Sequence, residues 1–234
     1  MNGTLINTAA ILVGGTIGLL LGSRLAERVK KTVVSGLGLF TLVYGISLFL
    51  KTSNSLIVLG SVLIGILLGE WWRIEEGLEK LAVWLEMKFN RGGQSDGRER
   101  FIKGFLTATL VFCIGPMAIL GSIEDGLSGS VNTLVVKSIL DCFAAMAFAS
   151  SLGVGVLFSA FMVLIYQGTI TLLATQVQSL ATDLMMNELT ATGGIILVAI
   201  AVSSLLELKK IRTASFLPAL IIAPIIVWII TLLK

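Results

Sequence analysis

The chain has 234 residues, of which 56% are hydrophobic and 13% charged, with a formal net charge of +3. A water-soluble helical protein needs charged outer faces on its helices, so this composition excludes that class. The basic residues are spread over several loops, which also excludes a nucleic-acid-binding patch.

Long segments without charge predict an all-α, polytopic transmembrane helical bundle. A hydrocarbon core about 30 Å thick needs about 20 helical residues to cross it. Seven charge-free runs of this kind occur, and the longest, 142–182, must hold a turn near 150–153. We therefore expect eight spans in the lipid bilayer, at 4–22, 33–50, 55–69, 103–121, 131–150, 154–174, 192–206 and 215–233.

The basic residues predict the orientation of these spans. Fourteen of the seventeen fall on one side of an eight-span threading, in the segments 24–31, 70–103 and 207–213. The positive-inside rule places these segments in the cytoplasm and both termini outside. The N-terminus carries no positive residue and no cleavage motif, which argues against a signal peptide. We expect a multi-pass membrane protein with this orientation.

The polar segment 70–102 separates spans 1–3 (residues 1–69) from spans 4–8 (residues 103–234). Apolar residues recur in its first part at helical spacing, and three of the four tryptophans lie there. This pattern predicts an amphipathic helix at the cytoplasmic membrane interface, followed by a flexible linker at 90–97. The segment serves either as a connector or as a docking site for a partner.

Two pairs of matching segments are consistent with an internal duplication. Gly14-Gly15 with two lysines downstream matches Gly193-Gly194, and the 59–65 segment resembles 120–126. Glycines four apart at 14, 18 and 22 let helix backbones approach closely. Such spacing serves packing within one chain or pairing into a homo-oligomer, and the sequence leaves both open.

Gly115 and Pro116 stand in the middle of the fourth span. Proline lacks an N–H group and clashes with the preceding turn, so we expect this helix to be broken there. Freed carbonyl groups at membrane depth are tolerated only against protein or a watery cavity. Ser122, Glu124 and Asp125 follow, then a glycine-rich segment at 126–129 that we expect to form an outer loop.

The fifth span carries Lys137 and Asp141, which lie on one helical face because they are four residues apart. Ionisable groups at membrane depth are costly and mark functional sites, although a purely structural ion pair is the alternative. Gln167 in span six and Asn7 in span one add polar groups. Together with Gly115, Pro116, Ser122, Glu124 and Asp125, these four residues are the candidate binding residues for a small solute or ion.

An ordered set of motifs resembles the YdfK/YqgA family of bacterial inner-membrane proteins, a domain-of-unknown-function class. The motifs are Gly115-Pro116-Met117-Ala118-Ile119, Gly121-Ser122-Ile123, Lys137-Ser138 with Asp141, Tyr166-Gln167-Gly168, Ala191-Thr192-Gly193-Gly194 and Leu217-Pro218-Ala219. The resemblance implies a bacterial plasma-membrane protein of this length, and it brings no established substrate. One departure is Cys142-Phe143 after Asp141, where the family pattern leads us to expect glycine.

The side-chain inventory predicts no enzyme, no cofactor and no metal site. The segment 126–129 spells the serine motif of rhomboid-like proteases, but the chain has no histidine to act as the base. Two cysteines and no histidine are too few for a zinc site. No phosphate-binding loop of the G-x-x-x-x-G-K-[ST] type occurs.

Three functions remain open from sequence. The first is a transporter or permease with a site between the broken span and the Lys137/Asp141 face, and the second is a passive channel through the same cavity. The third is a non-transporting scaffold or sensor acting through 70–100. A sealed bundle with Asp141 fully salt-bridged would favour the third, whereas a watery vestibule reaching Asp141 would favour the first two.

Overall fold

The computed structural model describes residues 1–89, 95–178 and 182–232, and the described residues form helices and connecting turns without strands. The α-helices are α1 Asn2–Gly22, α2 Glu27–Phe49, α3 Ser55–Trp71, α4 Ile74–Phe89, α5 Ser95–Cys113, α6 Pro116–Ser128, α7 Asn132–Leu152, α8 Gly155–Leu172, α9 Ala174–Gln178, α10 Asp183–Ile200 and α11 Ala219–Leu232. A π-helical turn, Ala201–Leu205, extends α10, and a 3₁₀ turn, Thr213–Phe216, precedes α11.

The predicted helical membrane bundle is confirmed. Among the described residues, 6 helices are long and apolar enough to cross a bilayer, or up to 8 if each bent helix pair is counted as one span. The bent pairs are α3 with α4 and α5 with α6. The turn expected near 150–153 is present, because α7 ends at Leu152 and Gly153 takes a left-handed φ of 84°.

Two boundaries differ from the sequence prediction. The segment expected as an outer loop at 126–129 is helical through Ser128, and Gly129 with φ 70° ends α6. The segment expected to lie outside before residue 192 contains α10 from Asp183 onward, because the Thr182 side chain accepts the Met185 N–H. Charged residues, which set the expected span ends, are accommodated inside both helices.

The chain divides into two compact units, each assembled from separate stretches of sequence. The first unit comprises Met1–Leu37 and Glu79–Val177, and the second comprises Gly38–Leu78 and Gln178–Lys234. The members of each matching segment pair fall in different units: 14–15 against 193–194, and 120–126 against 59–65. The internal duplication itself stays a prediction.

The first unit is built on close contact between α1 and α7. The glycines of α1 face backbone carbonyl groups of α7, so that a Cβ added at Gly14 or Gly18 would lie 2.2 Å from a carbonyl oxygen. At Gly22 the corresponding distance is 2.4 Å, to the oxygen of Ser150. Small residues at four-residue spacing allow this approach. The glycine pattern therefore serves packing within one chain.

The amphipathic segment forms α4, as predicted, and its apolar face contacts protein. Ala82 and Leu85 are buried against Phe101 and Phe105 of α5 in the first unit. This contact positions α5 and accounts for the helical period of the segment. Most of the predicted linker at 90–97 lies outside the described residues, and 95–97 form the first turn of α5.

The second unit packs α3, α10 and α11 together. Ile57, Met185 and Val227 form its buried apolar cluster. Glycine again allows close approach, because a Cβ on Gly69 would lie 2.0 Å from the Ser215 carbonyl oxygen. The Glu188 side chain is completely buried in this unit. Burial of this acid inside a helix was not expected from sequence, which placed Glu188 before the start of the seventh span.

Candidate functional site

Lys137 and Asp141 form a direct ion pair in the middle of α7. Both are buried, with 5% of Lys137 and 8% of Asp141 exposed. The i, i+4 spacing brings the ammonium and the carboxylate together on one helical turn. The expectation that both charges share a face is thereby confirmed, and each neutralises the charge of the other.

Two amide side chains complete the surroundings of this pair. Asn7 of α1 donates through Nδ2 to Oε1 of Gln167 in α8, at 3.3 Å. The Asn7 side chain also interacts with the Asp141 carboxylate. Asn7 and Gln167 are both fully buried. Helices α1, α7 and α8 thus converge on one polar cluster, consisting of Asn7, Lys137, Asp141 and Gln167.

The hydrogen bonds within the polar cluster do not satisfy all of its polar atoms. Among the described residues, Asn7 Oδ1 and Gln167 Nε2 are buried atoms without a partner. Leaving a buried donor or acceptor unpaired costs about 1–3 kcal/mol. One atom is an acceptor and the other a donor, so the cluster offers one hydrogen bond of each kind to a further group.

The helix break stands beside this cluster. α5 ends at Cys113 and α6 begins at Pro116, with a bend of 61° between them. Gly115 is extended, with φ −173° and ψ 145°, so regular helix is interrupted as predicted. The Cys113 thiol lies within electrostatic range of both Lys137 and Asp141. There is open space beside Gly115. A Cβ added to this residue would have no heavy atom of a non-neighbouring residue within 4 Å.

The other predicted site residues make their contacts elsewhere. Ser122 is buried and donates to the Ala118 carbonyl at 2.6 Å. Asp125 is buried and accepts from the backbone N–H of Gly3, with the Met1 amine also 3.0 Å away. Glu124 is exposed and accepts from the Thr133 hydroxyl. Of the nine predicted residues, the structure links Gln167 to Asn7, Asn7 to Asp141 and Asp141 to Lys137, and Gly115-Pro116 form the break after α5.

Sequence reasoning missed three residues near the cluster. Cys113, which interacts electrostatically with Lys137 and Asp141, is not among the predicted site residues. Thr4 and Thr171 were not linked to each other, although their hydroxyls are 3.3 Å apart. The signal was available, because Thr4 precedes Asn7 by three residues and Thr171 follows Gln167 by four, each on the same helical face.

The chemistry of the cluster is that of a small polar ligand or a proton. It presents a cation, an anion, a free donor and a free acceptor within one apolar bundle. Among residues 1–89, 95–178 and 182–232, no three His, Cys, Asp or Glu side chains come together as a metal site would require.

Comparison with known proteins gives the family. Residues 2–228 match the family described as protein of unknown function, DUF554. The chain belongs to this family. It is 34% identical over 221 residues to Uncharacterized protein YqgA of Escherichia coli strain K12, covering 94% of each chain. It is 29% identical to Uncharacterized membrane protein YdfK of Bacillus subtilis strain 168, covering 98% of this chain and 97% of the relative. No solved structure matches.

Proposed function

We propose that this DUF554 protein is a bacterial inner-membrane transporter or permease for a small solute or an ion, without enzymatic activity. Its binding site is the polar cluster together with the adjoining break at Gly115-Pro116. The observation that carries the proposal is the pair of unpartnered buried atoms, Asn7 Oδ1 and Gln167 Nε2, beside the Lys137–Asp141 ion pair.

A buried ion pair adds stability only when further hydrogen bonds satisfy its remaining polar groups, and replacing the pair with apolar residues is often neutral or stabilising. Here two amides are placed beside the pair with one atom of each left unsatisfied. Unsatisfied atoms of this kind are expected at a ligand-binding site, because the ligand supplies their partners.

The broken helix supports the same proposal. Substrate sites of many transporters lie at discontinuous membrane helices, where half-helix ends carry partial charge. The first turn of α6 begins at Pro116, which has no N–H group, and the Ala118 N–H donates to the Gly115 carbonyl oxygen at 3.1 Å, so the helix start contributes its partial positive charge to the break. The electrostatic interaction of Cys113, two residues before Gly115, with both charges supports a site that includes the break.

The arrangement favours two kinds of cargo. A zwitterion such as an amino acid would place its carboxylate at Lys137 and Gln167 Nε2, and its ammonium group at Asp141 and Asn7 Oδ1. A proton would instead need only the carboxylate, with Lys137 adjusting its position. The test below covers both kinds of cargo, since they differ in whether an organic solute binds.

A non-transporting scaffold or sensor is the second candidate. The ion pair favours it, because Lys137 and Asp141 are bonded to each other and shielded from solvent. Such a protein would act through the segment 70–100, and the cluster would only hold α1, α7 and α8 together. A passive channel would share the site but would lack alternating access.

The test is uptake into liposomes that contain the purified full chain. We expect uptake of at least one class among small amino acids, organic acids and metal ions, with or without an imposed proton gradient. Asp141→Asn should reduce uptake at least about tenfold, as loss of a charged contact worth more than 1.4 kcal/mol would. Glu124→Gln, an exposed acid on α6, is the matched control and should retain uptake.

Two outcomes would overturn the transporter proposal. One is the absence of uptake and of ligand-induced thermal stabilisation across all classes in a folded preparation. The other is equal uptake by wild type and Asp141→Asn. Flux that saturates and shows counterflow would distinguish a carrier from a channel.

The proposed orientation has both termini outside and 24–31, 70–102 and 207–213 in the cytoplasm. Single cysteines replacing Arg98 and Lys210 should react with a membrane-impermeant reagent from the same side. Labelling from opposite sides would overturn this topology.

A further inference from the structure

A separate cavity lies in the first unit, where α1 and α7 end and α5 and α8 begin. Its volume is about 270 Å³. Its polar lining includes Lys30 and Arg100, two cations from different parts of the chain, together with Ser23, Ser150 and the Gly153 turn. None of these residues belongs to the polar cluster, so the cavity is independent of the proposed transport site.

Arg100 is held at the cavity by the end of α7. Its Nε and Nη2 both donate to the Ser151 carbonyl oxygen, at 3.1 and 2.7 Å. A guanidinium group carries five N–H donors in a rigid plane. The bonds to Ser151 therefore fix the plane and leave Nη1 available for another acceptor.

Lys30 supplies the second charge. Its side chain is only 13% exposed, while its partner Glu27, at 2.6 Å, is 70% exposed. An ammonium group has three donors, and the bond to Glu27 uses one of them. Lys30 therefore presents its remaining donors within the cavity wall rather than to bulk water.

The backbone adds to this positive character. Gly153 turns the chain with φ 84°, and α8 starts directly afterwards at Gly155. The N-terminus of an 18-residue helix such as α8 carries partial positive charge, although the Val156 and Leu157 N–H groups donate to the Gly153 and Val154 carbonyl oxygens. The Arg100 guanidinium lies against the same turn, with Nε 3.5 Å from a Cβ built on Gly153. Gly97, in the first turn of α5, also lines the cavity.

We propose that this cavity binds the phosphate group of an anionic phospholipid. Two cations and the Gly153 turn line one space large enough for a phosphodiester headgroup, and the Glu27 carboxylate paired with Lys30 is mostly exposed. Arg24, Arg28 and Lys31 flank the site in sequence and attract anions over a longer range. Basic pockets between membrane helices near a charged leaflet recognise headgroups in this way. Free inorganic phosphate shares the chemistry.

The experiment measures thermal unfolding of the purified full chain in detergent mixed with phosphatidylglycerol, with phosphatidylcholine, or with inorganic phosphate alone. At ten times the dissociation constant we expect phosphatidylglycerol to raise the Tm by about 3–5 °C, by mass action. Phosphatidylcholine, whose phosphate is neutralised by choline, should give a clearly smaller rise. Native mass spectrometry should retain one phosphatidylglycerol per chain.

Matched variants locate the effect. Lys30→Gln and Arg100→Gln should lose most of the rise given by phosphatidylglycerol. Lys31→Gln and Arg98→Gln remove exposed charges next to them that do not line the cavity, and they should keep the rise. Arg100→Gln also removes the bonds to Ser151, so Lys30→Gln decides the question if that variant does not fold.

Each outcome decides for or against the proposal. A rise with inorganic phosphate that Lys30→Gln abolishes would keep the phosphate site and assign it to the free ion. Equal rises with the two lipids would overturn it, because the acyl chains alone would then account for the effect. Equal losses in Lys30→Gln and Lys31→Gln would also overturn it, since diffuse surface charge would suffice.

Discussion

Two buried carboxylates, Glu188 in the second unit and Asp141 in the first, differ in how their hydrogen-bond partners are supplied. Glu188 accepts from the Thr52 hydroxyl at 2.6 Å and from the backbone N–H groups of Ser53 and Asn54 at 2.7 and 3.0 Å. Asp141 depends on the long, flexible side chain of Lys137, and the amides beside it are only half satisfied.

The comparison shows that burial of an acid does not by itself identify a site. Glu188 holds the turn between α2 and α3 through three short bonds, two of them to rigid backbone, and nothing in its bonding calls for a ligand. The Asp141 carboxylate is paired with one lysine side chain and lies beside amides that carry two unpaired atoms. Incomplete satisfaction, rather than depth, is what separates a candidate binding group from a structural one.

The largest effect on stability is expected from Glu188→Ala. It leaves three donors of the 52–54 turn without their acceptor, which should lower the free energy of unfolding by about 3–5 kcal/mol. Asp183→Ala, an exposed acid in the first turn of the same helix, is the control and should cost less than about 1 kcal/mol. Chemical denaturation in detergent measures both. A loss below 1 kcal/mol for Glu188→Ala would contradict the structural role.

Asp141→Asn should come next, with a loss of about 3 kcal/mol, because Lys137 remains buried without a counter-charge. Uptake should fall in the same variant, which is what distinguishes this acid from Glu188. Thermal melts and liposome flux on one preparation provide the two readouts. An unchanged Tm would mean that the ion pair contributes nothing to the bundle.

A smaller loss, about 1–2 kcal/mol, is expected when Asn7→Leu and Gln167→Met are combined, since two polar groups that are only partly paired are removed together. Uptake should nevertheless fall at least about tenfold if these amides contact the ligand. The control combines Thr4→Val and Thr171→Val, a pair on the same two helices whose hydroxyls satisfy each other. Retained uptake in the amide variant would remove the main support for the binding site.

The smallest effect on stability is expected from Lys137→Met combined with Asp141→Asn. Removing both charges should restore stability to within about 1 kcal/mol of wild type, as replacement of buried ion pairs by apolar groups does. Uptake should stay lost, because the ligand has no charge left to bind. A double variant that is both stable and fully active would show that the pair is structural, like Glu188.

Sequence alone determined the features that depend on local chemistry. The charge-free runs fix a membrane bundle, because the cost of placing polar groups in hydrocarbon depends on composition. The Lys137–Asp141 contact follows from four-residue spacing on a helix. The interruption at Gly115-Pro116 follows from the missing N–H of proline. None of these inferences requires knowledge of a distant part of the chain.

Only the tertiary structure decided which distant residues meet. Asn7 bonds Gln167 across 160 positions, and Glu188 finds its donors 134–136 positions away. The glycines of α1 predicted close packing, but their partner, α7, emerged only from the fold. Helix α6 continues through 126–128, where the sequence predicted a loop. Helix α10 begins at Asp183, before the start of the span predicted at 192. Long-range pairing depends on how all helices pack at once, whereas spacing along one helix reports only on that helix.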